Sequence, residues 1–410
     1  MQDTSASHIE NQAQNEYQPE HTLSRKSIEN KRNIFFWSST TQHLIGGLNH
    51  DVTPINSRIV HSWASLLDYK GSRTARFEIY PVTVKKFSAG IFNTLRTRSG
   101  ANIPEFSTEI LPPGDYTFQV FSERVVDPIE PVRDIDSFKT RKLDGENAAE
   151  GALNKLTSDQ IRTFDVPGKI QEFVMERDHG RCVITGASQV DSVTVVWIIP
   201  PSFVDAIQYL KENDVIYDEP EQITNQSNAI TLHEDLKDAF FNNDFSVDVD
   251  DDYRVILFRD FGPAAQSLKG ANIQAYFRRG DLKDQFSGPH DVFLRAHFVH
   301  CLFVNFLGGD IFFRYPWNVV EERIVDLGLD EEGRRISRSH DLWKDDLSRI
   351  LYERLYERPF GSHEDNSDTD PDSDQISETD EDDQSDDNEK EYEGEERGPN
   401  SEDVSQSDAE

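Results

Sequence analysis

The chain is poor in cysteine, has no long unbroken apolar run, and is short of positive charge. Two cysteines in 410 residues, Cys182 and Cys301, cannot build a disulfide framework, and no CxxC pair offers a zinc knuckle. That usage points to a reducing compartment. The first thirty residues are polar and lack the apolar core of a signal peptide, so the expectation is an intracellular, non-secreted protein of the nucleus or cytoplasm. The most apolar stretch, "VFLRAHFVHCLFVNF", is interrupted by Arg295, His297 and His300. It is shorter than the roughly 20 residues that cross a bilayer, and reads as a buried helix with no membrane partner. No internal repeat is present.

Basic residues number 42 against 77 acidic ones, a formal charge of -35. The imbalance is uneven. Residues 362–410 hold 22 acids and two bases, Lys390 and Arg397, whereas the remainder holds 55 acids and 40 bases. A segment of this composition cannot bury a core and is expected to be an extended, self-repelling tail. Such a tail is a solubilising device or a lure for basic proteins such as histones. Ser377, Thr379 and Ser385, each followed by an acid, suit an acid-directed kinase.

Patterning divides the chain into six parts. Residues 1–32 are rich in Gln, Asn, Ser and Glu and are expected to be a disordered arm. Residues 33–140 read as a β-rich N-terminal domain. "NIFFWSS" and "ARFEIYPVTV" are β-branched and aromatic, and "PPGDYTFQVF" joins a turn signal to alternating Tyr116, Phe118 and Val120. "SRIVHSWASLLDY" is a candidate helix. This part holds no phosphate loop, nucleophile elbow or cluster of metal ligands. Residues 141–165 form a polar linker.

Within residues 166–260, "PGKIQEFVMERD" opens a helix carrying Ile170, Phe173 and Val174 at helical spacing. "RCVITG" and "DSVTVVWIIP" read as strands. "SFVDAIQYLKEN" and "NAITLHEDLKDAFFNND" read as helices, and "FSVDV" with "YRVILF" as a hairpin about Asp250–Asp252. Residues 261–361 supply two packing helices. The second places Trp343, Leu347, Ile350, Leu351 and Leu355 on one stripe. Residues 362–410 are the acidic tail. The fold class expected is α+β.

The order of pieces from about 168 to 258 resembles the HNH nuclease domain of many fungal proteins, a ββα-metal module. "RDHGRCVITGA", "VVWIIPPS" and "NAITLHEDLKDAFFNND" are similar to that family's RDxxRCxxTG, AHIIP and NGIxLxxxLHxxFD segments. Weaker similarity continues to about residue 309. The resemblance implies a histidine on the strand acting as general base on water. It also implies an asparagine bracing the loop, and a second histidine on the helix helping to hold a divalent metal ion, Mg²⁺, Mn²⁺ or Zn²⁺. At these positions this chain has Trp197, Asn228 and Lys237, and Phe241 replaces the closing Asp. Indole is not a useful base, and an ammonium does not bind metal. His233, four residues before Lys237, is a candidate displaced ligand. His179 reads as a loop residue and Cys182 as a buried one. "DVDDDY" lacks the glycine and closing Glu of a calcium loop.

Residues 165–260 contain 20 acids and seven bases, a poor match to a nucleic-acid partner, whose binding rests on cation–phosphate contacts. Three readings of function stand. One is a pseudoenzyme, an HNH-like protein that has lost endonuclease chemistry and works by binding or as a scaffold. The second is an active metal-dependent nuclease rearranged around His233. The third is an acidic-tail binder of basic proteins.

Overall fold

The computed structural model describes residues 17–41, 43–67, 77–86, 92, 94–120, 129, 131–140, 164–188, 192–206, 223–273, 288–329, 336 and 340–356. The chain divides into two units, Met1–Phe360 and Gly361–Glu410, and the second lies outside the described residues, as do residues 1–16 and 141–163.

In chain order the first unit begins with α1 (Arg25–Glu29), β1 (Ile34–Ser38), β2 (Leu44–Leu48), α2 (Ser57–Leu67), β3 (Phe77–Lys86), β4 (Thr94–Arg98) and β5 (Gly114–Val120). It continues with α3 (Gly168–Arg177), β6 (Val193–Trp197), β7 (Ala229–His233), α4 (Glu234–Phe241), β8 (Phe245–Asp248), β9 (Arg254–Leu257) and α5 (Pro263–Leu268). It closes with α6 (Asp291–Cys301), α7 (Ile311–Arg314), α8 (Trp317–Asp326) and α9 (Asp346–Tyr356). The α+β expectation holds. No helix among the described residues is long and apolar enough to cross a membrane.

The strands expected between residues 33 and 140 form a mixed sheet of order β2-β1-β5-β3-β4, in which β1 and β5 run parallel and the other pairs antiparallel. Alternation sorts β1 into two faces. Ile34 and Phe36 join Ile79 and Phe118 in a core that also takes Trp63 of α2 and Phe298 of α6. Phe35 and Trp37 join Leu44, Val82 and Val84 on the opposite face, which Tyr17 and Leu23 cover.

That cover corrects the expectation of a disordered arm for residues 17–32, the part of it that is described. Residues 17–32 lie on the sheet, and Ser24 caps α1 by accepting from the Ser27 amide. Polar composition misled because two apolar anchors suffice to dock the segment. Arg32 is buried and fans onto the carbonyls of Gly308 (2.8 Å), Asn305 (2.5 Å) and Phe306 (3.2 Å). The Asn305 and Phe306 carbonyls end a π-helical turn, Leu302–Phe306, that continues α6, and Gly308 follows it. A cation there satisfies groups that no later turn can.

Two further expectations change. "AITLH" is strand β7 rather than the start of a helix, because Ile230 and Leu232 face the core and the ladder to β6 satisfies its backbone. "RCVITG" forms turns, in which the Gly186 amide donates to the Cys182 carbonyl and the Val183 amide donates to the Thr231 carbonyl of β7. Of "SFVDAIQYLKEN", residues Pro201–Ala206 form a 3₁₀ helix and the rest lies outside the described residues. The helices at 168–177, 291–301 and 346–356 and the β8–β9 hairpin stand where expected. Trp343, Leu347 and Leu351 pack with Val320 and Leu327 in a separate cluster.

Candidate functional site

The ladder β6–β7 and helix α4 carry Trp197, His233 and Lys237, and Asn228 lies in the turn just before β7. The pairing runs from Val193 opposite His233 to Trp197 opposite Ala229. Side chains alternate across it. Val196, Ile198, Ile230 and Leu232 enter the core that holds Leu236, Ala239 and Phe240 of α4. Trp197 and Ala229 pack with Val166 and Val174, so they face α3. Trp197 and α4 therefore lie on opposite faces of the ladder.

Trp197 is 1% exposed. Its Nε1 donates to the Asp165 carbonyl at 3.4 Å, a long contact. An indole so placed has no lone pair to offer and almost no surface open to solvent.

Asn228 ends a 3₁₀ turn before β7 and is fully buried, at 0% exposure. Its Oδ1 accepts from the Ile199 amide at 2.9 Å, and its Nδ2 donates to the carbonyls of Ile199 (2.7 Å) and Ile223 (3.1 Å). The Ile198 amide donates to the Asn228 carbonyl at 2.8 Å. Asn228 thus ties the segment after β6 to the segment before β7. Every side-chain atom able to hydrogen-bond is committed to backbone.

Lys237 sits on α4, its side chain 40% exposed, with Nζ 3.4 Å from Glu234 Oε1. His233 is not on the helix. It closes β7 and is the N-cap of α4, its Nδ1 3.4 Å from the Asp235 amide and 3.5 Å from the Asp235 carboxylate. A nitrogen that accepts from the amide holds no proton to give the carboxylate. His233 stands four residue pairs along the ladder from Trp197, about 13 Å at strand rise. Trp197 and Asn228 are neighbours; His233 and Lys237 join neither.

The residues that organise this region include two that spacing did not single out. Arg177 and Asp178 form a buried pair at 2.7 Å at the end of α3. Arg177 donates to the carbonyls of Gln226 and Ala229, each at 2.8 Å, and Asp178 accepts from the Thr231 amide at 3.0 Å. The pair clamps β7 to α3. Their sequence signals are the adjacent opposite charges in "RDHGRC" and the place of Arg177 and Asp178 in the segment that resembles RDxxRCxxTG. His179 is exposed in a left-handed turn (φ 55°), and Cys182 is buried, as read from the sequence.

The acidic turn after β8 is committed to arginines. Asp250 binds Arg295 through both oxygens (2.7 and 3.0 Å), and Asp251 pairs with Arg254 at 2.6 Å. Asp248 caps the turn through the amides of Asp250 and Asp251, and burial pushes its carboxyl up to about 6. Among the described residues, no three His, Cys, Asp or Glu side chains gather as metal ligands.

No family model, characterised protein or solved structure matches the chain.

The donor set at the candidate site does not fit a divalent ion. Trp197 has no ligating atom, Asn228 is spent on backbone, and Lys237 presents an ammonium beside Glu234. Asn228 and the Arg177–Asp178 pair tie β6, β7 and α3 together.

Proposed function

We propose that residues 166–260 are an HNH-type ββα module without endonuclease chemistry, retained as a scaffold. The observation that carries this reading is Trp197, sealed among Val166, Val174 and Ala229 at the position where the resembled family has its general base. Phosphodiester hydrolysis needs a base for water, a charge to stabilise the phosphate, and access to both. Trp197 removes the first and closes the access. Lys237 offers an ammonium rather than a metal ligand, and its helix packs on the opposite face of the ladder from Trp197, so the two positions do not converge on one site.

Support for the module itself comes from order and bracing. An antiparallel pair runs into a helix, and Asn228 at the start of the second strand ties the loop across both strand ends. The bracing by Asn228 is the duty the resemblance implies, whereas the antiparallel pair is β6 with β7 and not the expected pair of "RCVITG" with "DSVTVVWIIP". The scaffold duty follows from packing, because Ile256 and Phe258 enter the core of the N-terminal sheet while Leu232 and Leu236 enter the other large core.

The test is a plasmid-nicking assay on the purified full chain with Mg²⁺, Mn²⁺ or Zn²⁺. No nicking above background is expected in any of them. Nicking that disappears in His233→Ala would overturn the reading and give the active site to the N-cap of α4.

A further inference from the structure

A cavity of about 330 Å³ lies between α2, the segment leading into it, strand β9 and the end of α5. It shares no lining residue with Trp197, Asn228, His233 or Lys237. Ile55, Ile59, Trp63, Val255 and Leu257 wall it with apolar surface. Ile59 and Trp63 are four residues apart on α2, so one helix face supplies both. The backbone of β9 beside the cavity is already spent. The Leu257 carbonyl accepts from Thr53 Oγ1 at 2.5 Å, and the Val255 amide donates to the Ala271 carbonyl at 3.0 Å. These walls offer a guest apolar contact and little hydrogen bonding.

Charge is confined to three lining residues, Arg254, Lys269 and Asp51. Lys269 is the C-cap of α5 and is exposed, and among the described residues its Nζ has no acceptor. The next residue, Gly270, has φ 74°, and a Cβ there would meet nothing within 4 Å, so the rim beside Lys269 is open. Arg254, on β9, is half-buried. Its Nε stands 2.6 Å from Asp251 Oδ2 without the alignment of a hydrogen bond, and Asp251 is also 4.0 Å from Arg58. The two Nη atoms of Arg254 have no acceptor among the described residues. A guanidinium presents paired N–H groups that fit the two oxygens of a carboxylate.

Asp51 is the opposing charge. Its carboxylate is 81% exposed and lies 3.4 Å from His50 Nδ1, and no ion pair joins it to either lining cation. Two cations against one acid leave a single positive charge on the lining, which matches a carboxylate better than a doubly charged phosphate. Uncommitted cationic donors beside an apolar chamber select an anion that carries an apolar body. The volume sits at the lower end of the roughly 300–1,000 Å³ of small-molecule sites, which sets that body at one ring or a short branched chain.

We propose that this cavity binds a small monocarboxylate with an apolar body. Arg254 and Lys269 hold the carboxylate, and the body lies against Ile55, Ile59 and Trp63.

Calorimetric titration of the full chain with 3-phenylpropionate tests this. The contrasts are 3-phenylpropionamide (uncharged head), 3-phenylpropylamine (cationic head) and acetate (no body). 3-Phenylpropionate should bind with sub-millimolar affinity, and each contrast about tenfold more weakly or not at all. Lys269→Gln, a change at an exposed position, should weaken it about threefold, and Arg254→Gln about tenfold. Methyl NMR of the unmodified protein locates the guest, because the δ1 methyls of Ile55 and Ile59 should both shift on titration. Four results would each overturn the proposal: no binding of 3-phenylpropionate into the millimolar range, the amide or the amine binding as tightly, an affinity that neither variant lowers, or binding that leaves the Ile55 and Ile59 methyls unmoved.

Discussion

Trp197 is held by burial far more than by its 3.4 Å contact to the Asp165 carbonyl. Truncating it leaves a large void between α3 and the ladder, which the flanking Val166, Val174 and Ala229 are too short to fill. Trp197→Ala should therefore cost about 3–5 kcal/mol in urea unfolding. A loss under about 1 kcal/mol would mean that the face relaxes freely and that the residue is not a structural plug. Asp248 gives a prediction of pH dependence. Its folded pKa, about 6, is above the unfolded value, so between roughly pH 4 and 6 the folded state binds more protons. Stability should fall as pH rises through that window and level off above it. Asp248→Asn keeps an oxygen for the amides of Asp250 and Asp251 and removes the charge. It should flatten that slope and stabilise the protein by about 2 kcal/mol at pH 7. A variant with an unchanged slope would assign the titration elsewhere, with Asp115, also raised to about 6 by burial, the next candidate.

At the scale of the elements, what was legible in the sequence was periodicity. The aromatic run "FFWS", the alternation in "DYTFQV" and the 3.6-residue spacing of "GKIQEFVMER" each became the element it suggested. Element type was lost where two signals overlapped. "NAITLHEDL" carries strand alternation and a helix start in nine residues, and the boundary falls at His233, which is both strand end and cap. Treating His233 as a helical residue had placed it one turn from Lys237. The ladder also decides what restoring both histidines would do. Trp197 faces α3 while α4 packs on the other face, so Trp197→His with Lys237→His should not bring two imidazoles together. The double variant should show no nicking and no micromolar Zn²⁺ binding; recovery of either would mean that the strand end turns its side chain toward α4. Gly46 shows the same sensitivity in the sheet. A Cβ there would stand 2.1 Å from the Phe306 carbonyl oxygen, at the bridge between β2 and the π-helical turn. Gly46→Ala should cost several kcal/mol, read as a lowered urea midpoint, since backbone is not free to retreat.

Across the whole molecule, the sequence divides where the core does not. Residues 33–140, 166–260 and 261–361 differ in pattern and read as separate bodies. Yet Trp63 of α2 meets Phe258 beyond β9, Phe298 of α6 and Phe306 of the π-helical turn, with ring centroids 5.9–6.1 Å away. Contacts between residues nearly 250 positions apart leave no local trace, and an apolar face announces only that something covers it. The consequence for folding is direct. A fragment of residues 166–260 would expose Ile256 and Phe258, whose neighbours come from the sheet and from α6. It would also lose Phe293 and Leu294 of α6 from the core around Leu232 and Phe240. Side chains of this size lose about 1.5–3 kcal/mol each when burial is undone, which is comparable in sum to the whole stability of a small domain. The isolated fragment should therefore lack a cooperative unfolding transition and give collapsed amide dispersion by NMR, whereas a chain ending at Phe360 should unfold in one step. If the fragment folds alone with sharp, dispersed spectra, the module is an independent domain, and the scaffold role proposed for it loses its physical basis.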